Sequence, residues 1–292
     1  MTHRAFAWVL NLDVESELAD PRGYTRGRGV ETQLRAALSE LRASGLIRDH
    51  DLVVDPPVDT NAADAARLGQ CWCPTPRALD RLRAAGVTPP HAPSLEILQR
   101  VNDRRFAIEI DPGPLETRYV DTLDDLLPVL ESGSTPWVLK RGLSFAGRGH
   151  RRLLEPFGDE DRRWCENSFR QGWGIAVEPW VERSEDFAQH GWVSETGEVT
   201  LGRPMRQHCD AHGAWRGPVV GMPLDLSAEE TRALESSAAT AGKSLAAAGY
   251  FGPFGVDAFR YRRNDRVDFN PMCEINARYS MAWARSGLTP GR

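Results

Sequence analysis

The sequence is short of every feature that would take it out of the ordinary globular class. No apolar run in its 292 residues approaches the roughly 20 needed to cross a bilayer. An excess of positive charge is missing too. The net charge is −5, whereas a nucleic-acid or anionic-membrane partner favours a basic surface. Neither partner is expected. Cysteine is scarce: there are five, an odd number at irregular spacing. That argues against a disulfide framework and for a reducing cytoplasm. Cys71-Trp72-Cys73 lacks the two-residue gap of zinc knuckles. His208-Cys209-Asp210-Ala211-His212 has no second ligand pair near it in sequence, so a polar loop is the simpler reading. The N-terminus carries only a short apolar stretch, Ala5 to Leu10, with no small-residue cleavage site, and is expected to be a strand. Internal repeats and low-complexity segments are absent.

What remains is 41% apolar and 26% charged residues, enough for two or three compact lobes. Strand and helix signals alternate over the first hundred residues. Strands are expected at 5–12, 51–54 and 70–73, and helices at 31–43 and 75–85. This alternation implies a small, mostly parallel α/β sheet. Pro89-Pro90-His91-Ala92-Pro93 marks a boundary. A helix is expected over 94–105 and another over 123–130. Hairpin-like runs follow at 137–140, 150–154, 175–181, 190–194 and 199–201, so this part is expected to be antiparallel sheet with helices on one side. Ser227 and Glu230 form a capping box that opens a long Ala-rich helix ending near Ala248. Two strands, 255–262 and 272–276, come last.

Four features bear on chemistry. The first is Trp137-Val-Leu-Lys140-Arg-Gly-Leu-Ser144-Phe-Ala-Gly147-Arg148-Gly149. A strand delivers a lysine, and a small-residue loop follows. Lysine is a point charge for phosphate oxygens, and glycines let backbone N–H groups close over phosphates. The pattern is neither the Rossmann fingerprint nor the P-loop, and a plain hairpin turn would look similar. The second is Ile175-Ala-Val-Glu178-Pro-Trp180-Val181 with Glu185 beyond it, an acid at a strand end and another seven residues on. The third is Asp257 within the apolar run Gly255-Val-Asp-Ala-Phe259; a buried carboxylate calls for a cation. The fourth is Met272-Cys-Glu274-Ile-Asn276-Ala-Arg278. Side chains at i and i+2 of a strand share a face, so Glu274 and Asn276 point the same way. Together with Asp257 they form an oxygen-donor set suited to Mg²⁺. Arg203, Arg206, His208 and Arg216 add a basic stretch that suits a carboxylate. Arg206 is the first candidate for substrate contact, with Arg216 beside it.

This order of lysine, glycine loop, strand-end acid, Asp and Glu-x-Asn-x-Arg resembles the ATP-grasp superfamily over roughly residues 100 to 283. The resemblance implies two α+β lobes clasping ATP, preceded by a small parallel α/β domain. It divides the chain into 1–93, 94–181 with a glycine-rich lid, and 182–292 with the metal site. It also implies roles. Lys140 meets ATP phosphates beneath a lid of Ser144, Gly147, Arg148 and Gly149. Glu178 meets adenine with Trp180 and Val181 beside it, and Glu185 meets ribose. Asp257, Glu274 and Asn276 hold Mg²⁺, with Mn²⁺ as an alternative. Arg278 meets an acyl phosphate or substrate carboxylate. Two departures stand out. Arg104 occupies the place of the usual first lysine, and the insertion Asp268-Phe-Asn-Pro271 can offset the pairing of the metal strand with Asp257. The implied activity joins a small carboxylic acid to an amine through an acyl phosphate, in a cytoplasmic protein for which a homodimer is allowed. A small-molecule kinase and a non-catalytic nucleotide-binding module are the alternatives.

Overall fold

The computed structural model describes residues 5–26, 30–55, 67–133, 136–144, 149–209, 215–218, 224–263 and 266–290. Strand β1 (Phe6–Val9), helices α1 (Val14–Ala19) and α2 (Val30–Ala43), strands β2 (Leu52–Asp55) and β3 (Leu68–Cys71), and helix α3 (Pro76–Ala84) come first. The three strands form a parallel sheet in the order β2-β1-β3. Every residue of β1 is buried, as a parallel strand covered on both faces requires. Helix α3 begins where its sequence supplies a cap: the Thr75 hydroxyl accepts from the Ala78 N–H, and Pro76 takes the first turn.

The single helix expected over 94–105 is two, α4 (Leu95–Asn102) and α5 (Arg104–Ile110). Asp103 makes the break. Its extended backbone (φ −75°, ψ 136°) closes α4, and its carboxylate accepts the Arg105 N–H at 2.9 Å to cap α5. Capping at both ends of a one-residue joint overrides continuous helical periodicity.

Next come β4 (Arg118–Val120), α6 (Leu123–Glu131), β5 (Trp137–Arg141), β6 (His150–Leu153), α7 (Asp159–Arg170) and β7 (Ile175–Pro179). The strands pair antiparallel in the order β4-β7-β5-β6. Leu126 of α6 and Cys165 of α7 pack against Leu139, Ile175 and Val177 in a core of their own.

The last part contains β8 (Glu182–Val193), β9 (Val199–Leu201), β10 (Met205–Cys209), β11 (Trp215–Pro218), α8 (Ala228–Ala247), β12 (Gly252–Arg263) and β13 (Arg266–Asn276), then a 3₁₀ turn at Trp283–Ser286. The main path of this sheet runs β11-β10-β8-β12-β13, and β9 also pairs with β8. The Ser227–Glu230 capping box opens α8 as expected. A second, larger core joins this sheet to the first one. It holds Trp8, Leu98, Phe106, Phe187, Leu234, Phe254, Tyr279 and Trp283. Among the described residues the four-stranded lobe thus has a core separate from this larger one.

The pairing of β12 with β13 decides where the chemistry sits. Asp257 is opposite Glu274, while Phe259 is opposite Asn270. Ala258 thus faces Pro271, Met272 and Cys273, a bulge that takes up the insertion. Pro271 has no N–H for the ladder, and the Met272 N–H bonds Asn270 Oδ1 at 3.2 Å. The insertion lies within β13 and keeps Asp257 and Glu274 in register.

Close packing between β8 and β12 gives a test. A methyl group on Gly191 would run into the ring of Phe254, which is fully buried. Gly191→Ala should therefore cost about 1–3 kcal/mol by overpacking, read as a lower urea midpoint at unchanged m-value.

Candidate active site

Lys140, on β5, ion-pairs with Glu178 on the neighbouring β7, and both side chains are buried. Thr117 Oγ1 donates to Glu178 Oε2 at 3.4 Å, and Arg183 stands 3.9 Å from Oε1. Burial alone would push the Glu178 carboxyl up. The charges of Lys140 and Arg183 outweigh it and hold the group below the usual carboxylate range. The chain has only two lysines, this one and Lys243, which lies exposed on α8. Elsewhere its basic residues are arginine.

His150 is the cross-strand partner of Lys140. Burial first, then the charges of Arg104, Lys140, Arg183 and Arg152, push its pKa down to about 2. It is a neutral imidazole among cations, and its Nε2 is buried without a partner. Arg104 bridges the two sides. Its guanidinium donates to Arg141 O at 2.7 Å and Ser144 Oγ at 2.8 Å, and reaches Glu274 Oε1 at 2.9 Å. Arg104, expected in place of the usual first lysine, and Ser144, expected in the lid, are thus in contact. Gly149 accepts the Arg141 N–H at 3.1 Å and has φ 75°, a left-handed backbone that suits glycine. Gly147 and Arg148 lie outside the described residues.

Facing this group are the acids of β12 and β13. Asp257 and Glu274 are cross-strand neighbours. Asn276 Nδ2 donates to Asp257 Oδ2 at 2.9 Å, and Gln207 Nε2 donates to Asp257 Oδ1 at 2.8 Å. Burial, and then the Glu274 charge, push Asp257 up to about 6, against the Gln207 hydrogen bond. Among the described residues no three His, Cys, Asp or Glu side chains converge. Two carboxylates and one amide oxygen fit a hard cation that keeps phosphate and water as its other ligands. The surplus negative charge that raises Asp257 is what such a cation would neutralise. Beside the Lys140–Glu178 pair opens a small cleft lined by Arg104, Thr117, Lys140, Glu178, Met272 and Cys273.

The remaining candidates divide. Trp180 donates its N–H to Pro136 O at 3.0 Å, with Arg152 3.4 Å above its ring. Val181 packs on a small cluster of Leu115, Phe259 and Tyr261. Glu185 and Arg206, read from sequence as ribose and substrate contacts, pair with each other, and Glu185 also pairs with Arg260. Arg260 Nε in turn meets Glu230 Oε1 at 2.7 Å. The side chain of Arg216 lies outside the described residues. Arg278 lies just beyond β13, donating to Asn276 Oδ1 at 2.9 Å, and also pairs with Glu15 of α1. Sequence reasoning missed Thr117, His150, Arg183, Gln207 and Glu15. Only His150 and Gln207 carried a signal, one directly after the glycine loop and the other within the basic stretch.

Lys140 and Glu178 form a buried pair, and removing the lysine leaves Glu178 with only the more distant Arg183 as a charge partner. Lys140→Met should lower stability by about 1–3 kcal/mol, less than a fully uncompensated buried charge would cost. Lys140→Met with Glu178→Leu should recover most of that loss, measured as a double-mutant cycle in chemical denaturation.

No protein-family model matches the chain, and no curated protein matches it either. Solved structures do match. Carboxyaminoimidazole ribonucleotide synthase from Aspergillus clavatus, complexed with ATP, aligns with a TM-score of 0.54 and 14% identity, over 95% of this chain and 71% of that one. Biotin carboxylase from Campylobacter jejuni, in a β-γ-ATP complex, gives 0.56 and 12%, over 96% and 67%. The biotin carboxylase domain of Hydrogenobacter thermophilus 2-oxoglutarate carboxylase, with MgADP and bicarbonate, gives 0.56 and 11%, over 99% and 72%. Identities this low speak to architecture alone, and the architecture is that of the ATP-grasp fold, with a small parallel α/β sheet ahead of it.

Proposed function

We propose that the chain is an ATP-dependent carboxylate–amine ligase, with residues 1–93 preceding two lobes, 94–181 and 182–292. One observation carries the reading: Asp257, Glu274 and Asn276 converge on paired strands, and Arg104 ties Glu274 to Arg141, the residue next to Lys140. Phosphoryl transfer needs positioning and charge neutralisation more than a protein nucleophile, and this site supplies both. Lys140 and Arg104 would take phosphate oxygens of ATP. Glu178, Trp180 and Val181 would line the adenine side, and Glu185 the ribose. Asp257, Glu274 and Asn276 would hold Mg²⁺, which when bound neutralises charge on the phosphate oxygens. A substrate carboxylate attacks the γ-phosphorus and ADP leaves. An amine then attacks the acyl carbon, loses a proton, and phosphate departs. Arg278, at the end of the metal strand, would steady the acyl phosphate. Arg206 would face the acid substrate after exchanging its partner Glu185.

The test is direct. Purified protein is incubated with Mg²⁺–ATP, a carboxylic-acid pool and an amine pool, and phosphate release and product mass are followed. ADP together with a condensed product supports ligation. A phosphorylated acid with no condensation, or bound nucleotide without turnover, would overturn it. Glu274→Gln should lower kcat/KM at least ~100-fold. Because a cation must displace the proton that Asp257 holds up to about pH 6, divalent-ion affinity should fall about tenfold per pH unit below that point. Mn²⁺ titration by electron paramagnetic resonance at pH 5 and pH 7 checks this.

A further inference from the structure

Arg278 stands between two parts of the chain. Glu15, in the first turn of α1, accepts from Arg278 Nε at 2.6 Å, and the same Oε1 lies 2.5 Å from Nη2 in an ion pair. Glu15 is buried and its Oε2 has no partner. The same Nη2 donates to Asn276 Oδ1, and Asn276 Nδ2 donates to Asp257. A guanidinium only donates and a carboxylate only accepts, so these neighbours fix the amide: oxygen toward Arg278, nitrogen toward Asp257. A cation seated at Asp257 needs the oxygen instead. Arg278 and the cation therefore compete for one atom, Asn276 Oδ1.

We propose that Glu15 is a positioning residue for the cation site: it keeps Arg278 partnered when Asn276 lets go of the guanidinium and turns its oxygen to a divalent ion. The proposal rests on the functional reading above. Its physical basis is the choice of partners open to Arg278. Glu15 and Glu274 are the acids whose charges act on it, and Arg278 acts in turn on Asp257. With Glu15 gone, the guanidinium is left to the two carboxylates that bind the ion. It then opposes the ion both by occupying Asn276 and by its charge.

The test uses the full chain, with Mn²⁺ as the probe at saturating ADP, read by electron paramagnetic resonance. ADP binding without metal is measured by calorimetry. Glu15→Gln should weaken Mn²⁺ binding about tenfold, the effect of one competing charge in a partly buried site, and leave metal-free ADP binding unchanged. Arg278→Gln should bind Mn²⁺ as tightly as wild type or more tightly. Glu15→Gln with Arg278→Gln should return to the wild-type value. A residue that only stabilised the fold would weaken both ligands and gain nothing from the second substitution. If Glu15→Gln folds poorly because Arg278 is left buried and unpaired, Arg278→Gln and the neutral double variant decide the matter. Weaker Mn²⁺ binding in Arg278→Gln, or unaltered binding in a folded Glu15→Gln, overturns the proposal alone. A wild-type chain that binds neither ADP nor Mn²⁺ overturns the functional reading and this proposal together.

Discussion

Asp257 and Glu274 are like charges set opposite each other on paired strands, an arrangement that costs stability wherever it stands uncompensated. The surroundings are arranged to hold it. Gln207 and Asn276 both donate to Asp257, and Arg104 reaches Glu274 from the start of α5. Arg278 steadies Asn276, and Glu15 steadies Arg278. The bulge around Ala258 belongs to the same solution, because it absorbs the extra residues of β13 that would otherwise slip the register. A one-residue slip would turn Glu274 to the opposite face and dissolve the constellation.

Short-range rules were enough to see half of this. The i, i+2 spacing of Glu274 and Asn276, and an acid in the apolar run around Asp257, show in the sequence because strand geometry repeats every two residues. The capping box at Ser227 showed for a similar reason. The break at Asp103 was hidden, since a residue that caps in both directions leaves helical periodicity intact on each side. The partners of the acids were hidden for another reason. Glu15 lies 263 residues from Arg278, and Gln207 lies 50 from Asp257. No local pattern encodes contacts that only the folded sheets bring together. The pairing of Glu185 with Arg206 was equally invisible, although each residue drew notice separately.

Charge chemistry explains where this chain keeps a lysine. Arginine forks to fixed partners, and Arg104, Arg260 and Arg278 each hold several at once. A compact ammonium suits the place beside Glu178, where a planar guanidinium would need more room and more acceptors. The neutral His150 opposite Lys140 adds a polar group without adding another positive charge to a crowded corner.

The separation of the four-stranded lobe's core from the larger one has a thermodynamic consequence. Arg104 makes a polar bridge, bonding Arg141 and Ser144 on one side and Glu274 on the other, and Leu143, just after β5, adds one apolar contact with the larger core. Parting the lobes would break these bonds and free Leu143, while the bulk of both cores stayed packed. Heat capacity rises when apolar surface meets water and falls slightly when polar surface does. Lobe opening in this chain is accordingly a process of small heat-capacity change, and its balance should vary gently with temperature while global unfolding varies steeply.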